Sequence, residues 1–86
     1  MASKMTLEQY RKAIGLTVTM FAQEVTKASG VHISNQLIEE AEHYLAPDKE
    51  HERIAMAKPK ADAIAKFISS EMGRSVSVSD LGLKVI

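Results

Sequence analysis

Residues 17–38 read TVTMFAQEVTKASGVHISNQLI, and this stretch decides the fold. Thr17 is a good N-cap, because its hydroxyl can accept an orphan backbone N–H of a first helical turn. Val18, Phe21, Ala22, Val25 and Ala28 then recur at i, i+3, i+4, i+7 and i+10, which is one face of an α-helix. Ser29-Gly30 breaks the pattern, and Val31-His32-Ile33 makes a short connector. Ser34 caps a further helix with Asn35 and Gln36 in its first turn. Ile33 before that cap can pack on Ile38 as a hydrophobic staple. Leu37, Ile38, Ala41, Tyr44 and Leu45 form the buried stripe, while Glu39, Glu40, Glu42 and His43 face away from it or flank it.

Working toward the N-terminus, Thr6 and Gln9 have the spacing of a capping box. Leu7, Tyr10 and Ile14 follow at helical spacing, and Gly15 ends that helix because it takes a left-handed conformation without penalty. Arg11, Lys12, Gln23, Glu24 and Lys27 fall largely outside the apolar stripes of these two helices.

Toward the C-terminus, Ala46-Pro47 stops the third helix, since the residue before proline avoids the α region. Pro47 can open a fourth, with Asp48 and Glu50 near the positive end of its dipole. Ile54, Ala57, Ala61, Ile64, Ile68 and Met72 recur at spacings of three and four, straight through Pro59. Either a helix ends near Ala57 and a new one starts at Pro59, or one helix kinks there; the break is favoured. Met72-Gly73 is a stop. In Arg74–Ile86 the alternation of serine and valine from Ser75 to Ser79 predicts an extended tail. Leu81, Leu83 and Val85 continue that extension, or Ser79 caps a last helical turn. A terminal strand with a free edge invites pairing with a second copy.

The expected fold is therefore all-α: one domain over 1–86, a compact bundle of four to five short helices, helix-turn-helix-like, with residues 1–5 disordered and 74–86 an extended tail or dimerisation segment. Eighty-six residues hold one core, with a stability of roughly 5 kcal/mol. Aromatics are few (Tyr10, Phe21, Tyr44, Phe67), so the core is built from aliphatic residues, methionine and alanine, with Met20, Met56 and Met72 as filler. There is no cysteine, which excludes disulfides, thiolate metal sites and cysteine nucleophiles. No apolar run is long enough to cross a bilayer. No membrane partner and a cytoplasmic location are expected.

Net charge is zero but unevenly spread. Residues 1–30 carry Lys4, Arg11, Lys12 and Lys27 against Glu8 and Glu24, a net +2. Residues 31–52 carry Lys49 against Glu39, Glu40, Glu42, Asp48, Glu50 and Glu52, a net −5. Residues 53–86 carry Arg53, Lys58, Lys60, Lys66, Arg74 and Lys84 against Asp62, Glu71 and Asp80, a net +3. The basic ends can form a patch in space, whereas the acidic middle counts against a nucleic-acid partner.

Three segments carry a family resemblance. Residues 10–17 read YRKAIGLT, residues 21–25 FAQEV, and residues 30–38 GVHISNQLI. Their order resembles the Cro/repressor-type helix-turn-helix family of phage and bacterial regulators. That family has a first helix ending near GLT, a second with a central apolar-Ala pair, a Gly-Val turn and a Ser-capped recognition helix. Ala65-Lys66-Phe67-Ile68, Met72-Gly73 and the segment Val76–Leu81 are similar to its last core helix and exit. The chain departs from the pattern twice: Thr26–Ser29 adds about four residues to the second helix or the turn, and 46–60 is longer than the usual connection.

The resemblance implies a small DNA-binding transcriptional regulator, dimeric, on double-stranded DNA, non-enzymatic and without cofactor. The start of the third helix would enter the major groove, bringing His32, Ser34, Asn35 and Gln36 nearest the bases. Asn and Gln can make paired hydrogen bonds to adenine. Arg11, Lys12, Lys27, Lys58 and Lys60 would neutralise phosphates. Capping alone also accounts for Asn35 and Gln36, and Glu39, Glu40 and Glu42 would be repelled by phosphate. The rival expectation is a helical protein-binding adaptor, an inhibitor or antirepressor, using the acidic middle. Glu39 and His43 at i and i+4, with Glu40, fall short of the four ligands of a structural zinc site, with His51 beyond Pro47. Ser69-Ser70 with His43 or His51 has nothing to fix a catalytic geometry.

Overall fold

The computed structural model describes residues 6–43, 55–81 and 83–86. The expectations placed on 1–5, Tyr44, Leu45, Pro47, Asp48, Glu50, His51 and Ile54, and on the side chain of His43, lie outside the described residues.

Helix α1 (Leu7–Ile14) starts where its capping box predicts. The Gln9 N–H donates to the Thr6 hydroxyl (3.2 Å) and the Thr6 N–H donates to the Gln9 side-chain carbonyl (2.8 Å). Gly15, at φ 88°, closes it in the left-handed region that side chains other than glycine rarely take. Helix α2 (Val18–Ser29) is capped by Thr17, whose hydroxyl accepts from Met20 N–H. It runs to Ser29, so the residues that lengthen the family pattern belong to the helix. Helix α3 (Asn35–His43) begins after Ser34, whose hydroxyl accepts from Leu37 N–H at 3.1 Å. Ile33 and Ile38, the expected staple pair, are both buried.

A new helix starts beside Pro59, as favoured from sequence, but no helix ends near Ala57. Helix α4 (Lys58–Met72) carries Pro59 in its first turn, where a missing N–H costs nothing. Immediately before it there is no helix: Ala55–Met56 form a short strand, β1, parallel to a second, β2 (Lys84–Val85). The spacing that suggested a helix through Ala57 is overridden by Pro59, which has no N–H to bond the Ala55 carbonyl and whose ring would clash with it in a continuous helix; Ala57, the N-cap of α4, is extended at φ −62°, ψ 143°. The Ile86 N–H donates to Met56 O (3.0 Å), so the tail is strapped to the entrance of α4.

The tail is not one uninterrupted extension. The Asp80 N–H donates to Ser77 Oγ and the Ser77 N–H donates to an Asp80 carboxylate oxygen, both at 3.0 Å. This reciprocal cap makes a single turn before β2. Ser77 is therefore the capping residue, and not Ser79, because only Ser77 has a carboxylate three residues on to complete the pair.

The architecture is all-α, with four helices among the described residues and this two-stranded clasp. Helix α4 packs against α1 and α2, and α3 packs against both as well. Ala61, Ala63 and Ala65 are all buried on α4, since their small side chains let neighbours approach from several sides. Phe21, Leu7, Ile38, Ile64, Ile68, Leu81 and Val25 fill the centre. Phe67 meets Phe21 edge-to-face at 5.5 Å. Of the expected methionine filler, Met56 is buried and Met72 packs at the core edge. Met20 is instead 48% exposed, because it lies off the apolar stripe of α2.

Candidate nucleic-acid interface

Thr26 sets the geometry. Its hydroxyl donates to Ala22 O one turn back (2.8 Å) and accepts the N–H of Ile33 (2.9 Å). Ser29 acts in parallel, donating to Val25 O (2.7 Å) and accepting from Val31 N–H (3.1 Å). These bonds fold the connector back on α2, so that Ile33 enters the core while His32 remains exposed. Gly30, at φ 74°, makes the reversal.

The result is an open cleft of about 610 Å³ between α2 and the start of α3. Gln23 and Lys27 line one wall; His32, Ser34, Asn35 and Gln36 line the other. All of these are exposed except Ser34, which is half-buried in its capping role. No carboxylate lines the cleft among the described residues. Asn35 is held by a hydrogen bond from its Nδ2 to Thr19 Oγ1 in the first turn of α2 (3.0 Å). Gln36 Nε2 donates to Glu40 Oε1 one turn further along α3 (3.0 Å). Each amide thus keeps its carbonyl oxygen and one N–H for another partner.

The expected cations divide. Lys27 stands at the cleft. Lys12 is exposed on α1 and paired with Glu8 at 2.8 Å; that hydrogen bond and charge hold the Glu8 carboxyl below its ordinary range. Lys58 and Lys60 belong to the first turn of α4 and do not line the cleft. Arg11 corrects the sequence expectation. Its guanidinium is only 11% exposed and makes a two-point contact with Glu42, Nε to Oε2 at 2.7 Å and Nη2 to Oε1 at 3.0 Å. A third donor, Nη1, reaches Leu16 O (3.0 Å). The hydrogen bond that Arg11 donates to Glu42 raises the Arg11 pKa against the opposing effect of burial. Arg11 is thus a brace between α1 and α3, with three of its five N–H donors and its charge already engaged inside the protein. Glu42, its side chain nearly covered in the same contact, is withdrawn from the acidic outer surface of α3.

No family model, no curated protein and no solved structure matches this chain.

Thr19, Gln23 and Thr26 were not anticipated as site residues. Thr19 and Gln23 are one turn apart on the polar edge of α2, a spacing that could have grouped them. The role of Thr26 was signalled only by a hydroxyl four residues before a glycine stop. Among the described residues, no helix is long and apolar enough to cross a membrane.

Proposed function

We propose that the chain is a helix-turn-helix DNA-binding regulator in which the start of α3 enters the major groove. One observation carries the reading: Asn35 and Gln36 stand exposed at the head of α3, beside Lys27 and His32, in a cleft lined by no carboxylate among the described residues. The pinned Asn35 amide keeps the donor and acceptor that an adenine edge requires. Lys27, with Lys12 on a neighbouring helix, supplies phosphate contacts. The lengthened α2 is compatible with this reading because Thr26 and Ser29 fold the connector tightly after it.

The regulator acts as a homodimer, matching two half-sites. The clasp supports this. The Ile86 N–H faces β1, so the intervening backbone groups of Val85 face the other way, along an edge that pairs with no strand among the described residues. Val85 and Ile86 are 37% and 87% exposed there. Sedimentation analysis across concentration tests the association.

DNA binding is tested by fluorescence polarisation on duplexes at low salt, then across a salt series. Log affinity should fall linearly with log salt, and Lys27→Gln should make the slope shallower by about 1. Absence of binding even to nonspecific duplex at low salt would sink the proposal. Capture of a basic protein, abolished by reversing Glu39 and Glu40, would instead establish the adaptor.

A further inference from the structure

The outer face of α3 poses a physical question. Gln36, Glu39 and Glu40 lie at i, i+3 and i+4, on one surface opposite buried Ile38 and Ala41. If Gln36 enters a groove, Glu40 enters behind it. A carboxylate there is repelled by phosphates, so its presence needs a base edge that rewards it.

We infer that Glu40, positioned by Gln36, makes the site select a cytosine at one place in the operator. The inference rests on the DNA-binding reading above. Gln36 Nε2 holds Glu40 Oε1 at 3.0 Å, which leaves Oε2 without another partner among the described residues. Together the two side chains present the carbonyl of Gln36 and the free oxygen of Glu40, both acceptors, with one remaining amide N–H. In the major groove, cytosine alone offers a donor, its N4 amino group, and no acceptor. Thymine and guanine offer acceptors that would face the carboxylate. Adenine offers an amino group but sets its N7 lone pair beside it. The acidic outer face of α3 then contributes to specificity at the expense of nonspecific affinity. Phosphate attraction is left to Lys27 and Lys12 at the margins.

The experiment is selection from a randomised duplex pool with the wild-type chain, Glu40→Gln and Gln36→Ala, beside direct titrations of a nonspecific duplex at low salt. Both changes are on the surface, and thermal melts check that each variant is folded. Wild type should enrich cytosine at one position by roughly tenfold, the scale of a good base contact. Glu40→Gln should lose that enrichment while binding nonspecific duplex as tightly or more tightly. Gln36→Ala should relax the same position. An equal gain in affinity for every sequence with Glu40→Gln, its base preference unchanged, would overturn the inference and leave the carboxylate a simple repulsive charge. A wild-type chain that binds duplex with no cytosine preference would overturn it while sparing the DNA reading; a chain that binds no duplex fails both.

Discussion

Arg11 and Glu42 are far apart in sequence and nearly inaccessible together, at 11% and 9% side-chain exposure. Removing one partner of such a pair strands the other charge in a low-dielectric setting, which typically costs about 3 kcal/mol. Against a total stability of roughly 5 kcal/mol, Glu42→Ala should leave about 2 kcal/mol, seen as a much lower midpoint in urea denaturation. The double replacement Arg11→Met with Glu42→Leu should recover most of that loss, because apolar groups of similar volume need no partner. If Glu42→Ala melts like the parent, the brace is not stabilising. The same pair has a counterpart in Tyr10 and Arg74. There the guanidinium donates to the phenol oxygen at 3.0 Å and lies 5.7 Å from the ring centroid, tying α1 to the segment after α4.

At the scale of elements, the chain uses one helix-ending device twice. Thr26 and Ser69 each stand four residues before a left-handed glycine, Gly30 and Gly73. Each donates to the carbonyl four residues back, Ala22 O and Ala65 O, both at 2.8 Å. Each accepts the N–H of the residue seven ahead, Ile33 at 2.9 Å and Val76 at 2.8 Å, and both of those residues are buried. A serine or threonine that bonds back along a helix normally weakens it slightly. Here the hydroxyl also satisfies an N–H that the core has removed from water, which is the larger effect. Thr26→Val and Ser69→Ala should therefore each cost about 2 kcal/mol, the penalty of an unsatisfied buried donor. Hydrogen exchange at Ile33 and Val76 is the local readout; unchanged protection there would show the hydroxyls to be dispensable.

The whole molecule depends on a small aromatic centre. Phe21 is fully buried and meets Phe67 edge-to-face, joining α2, which carries one wall of the cleft, to α4. Truncating a buried phenylalanine costs about 3–4 kcal/mol. Phe21→Ala should therefore leave only about 1–2 kcal/mol and lower the melting temperature sharply, and a melt within a few degrees of the parent would contradict the packing described. At this scale the charge argument also changes. The sequence shows an acidic middle, but the fold withdraws Glu42 into the brace, engages Glu40 with Gln36 and leaves Lys27 at the cleft. Among the described carboxylates of that acidic middle, Glu39 alone stays exposed, with Glu42 and Glu40 engaged.

Much of the fold was legible in the residues themselves. Thr6, Thr17 and Ser34 announced three helix starts, and Gly15, Gly30 and Gly73 three stops. Caps and glycine reversals act within a few residues, so their signals survive without tertiary context. Apolar periodicity likewise picked out the buried face of each of these helices, except at the end of α2, where Ala28 is exposed. The amides at the head of α3 were legible as candidates for the same local reason. What only the tertiary structure decided was pairing at a distance: Arg11 with Glu42, Asn35 with Thr19, Arg74 with Tyr10, and β1 with β2. A two-residue strand has too little pattern to read, and an arginine carries the same charge whether a carboxylate thirty-one residues away claims it or not. Those contacts form only after the helices have packed, and they determine which polar groups remain available for a partner.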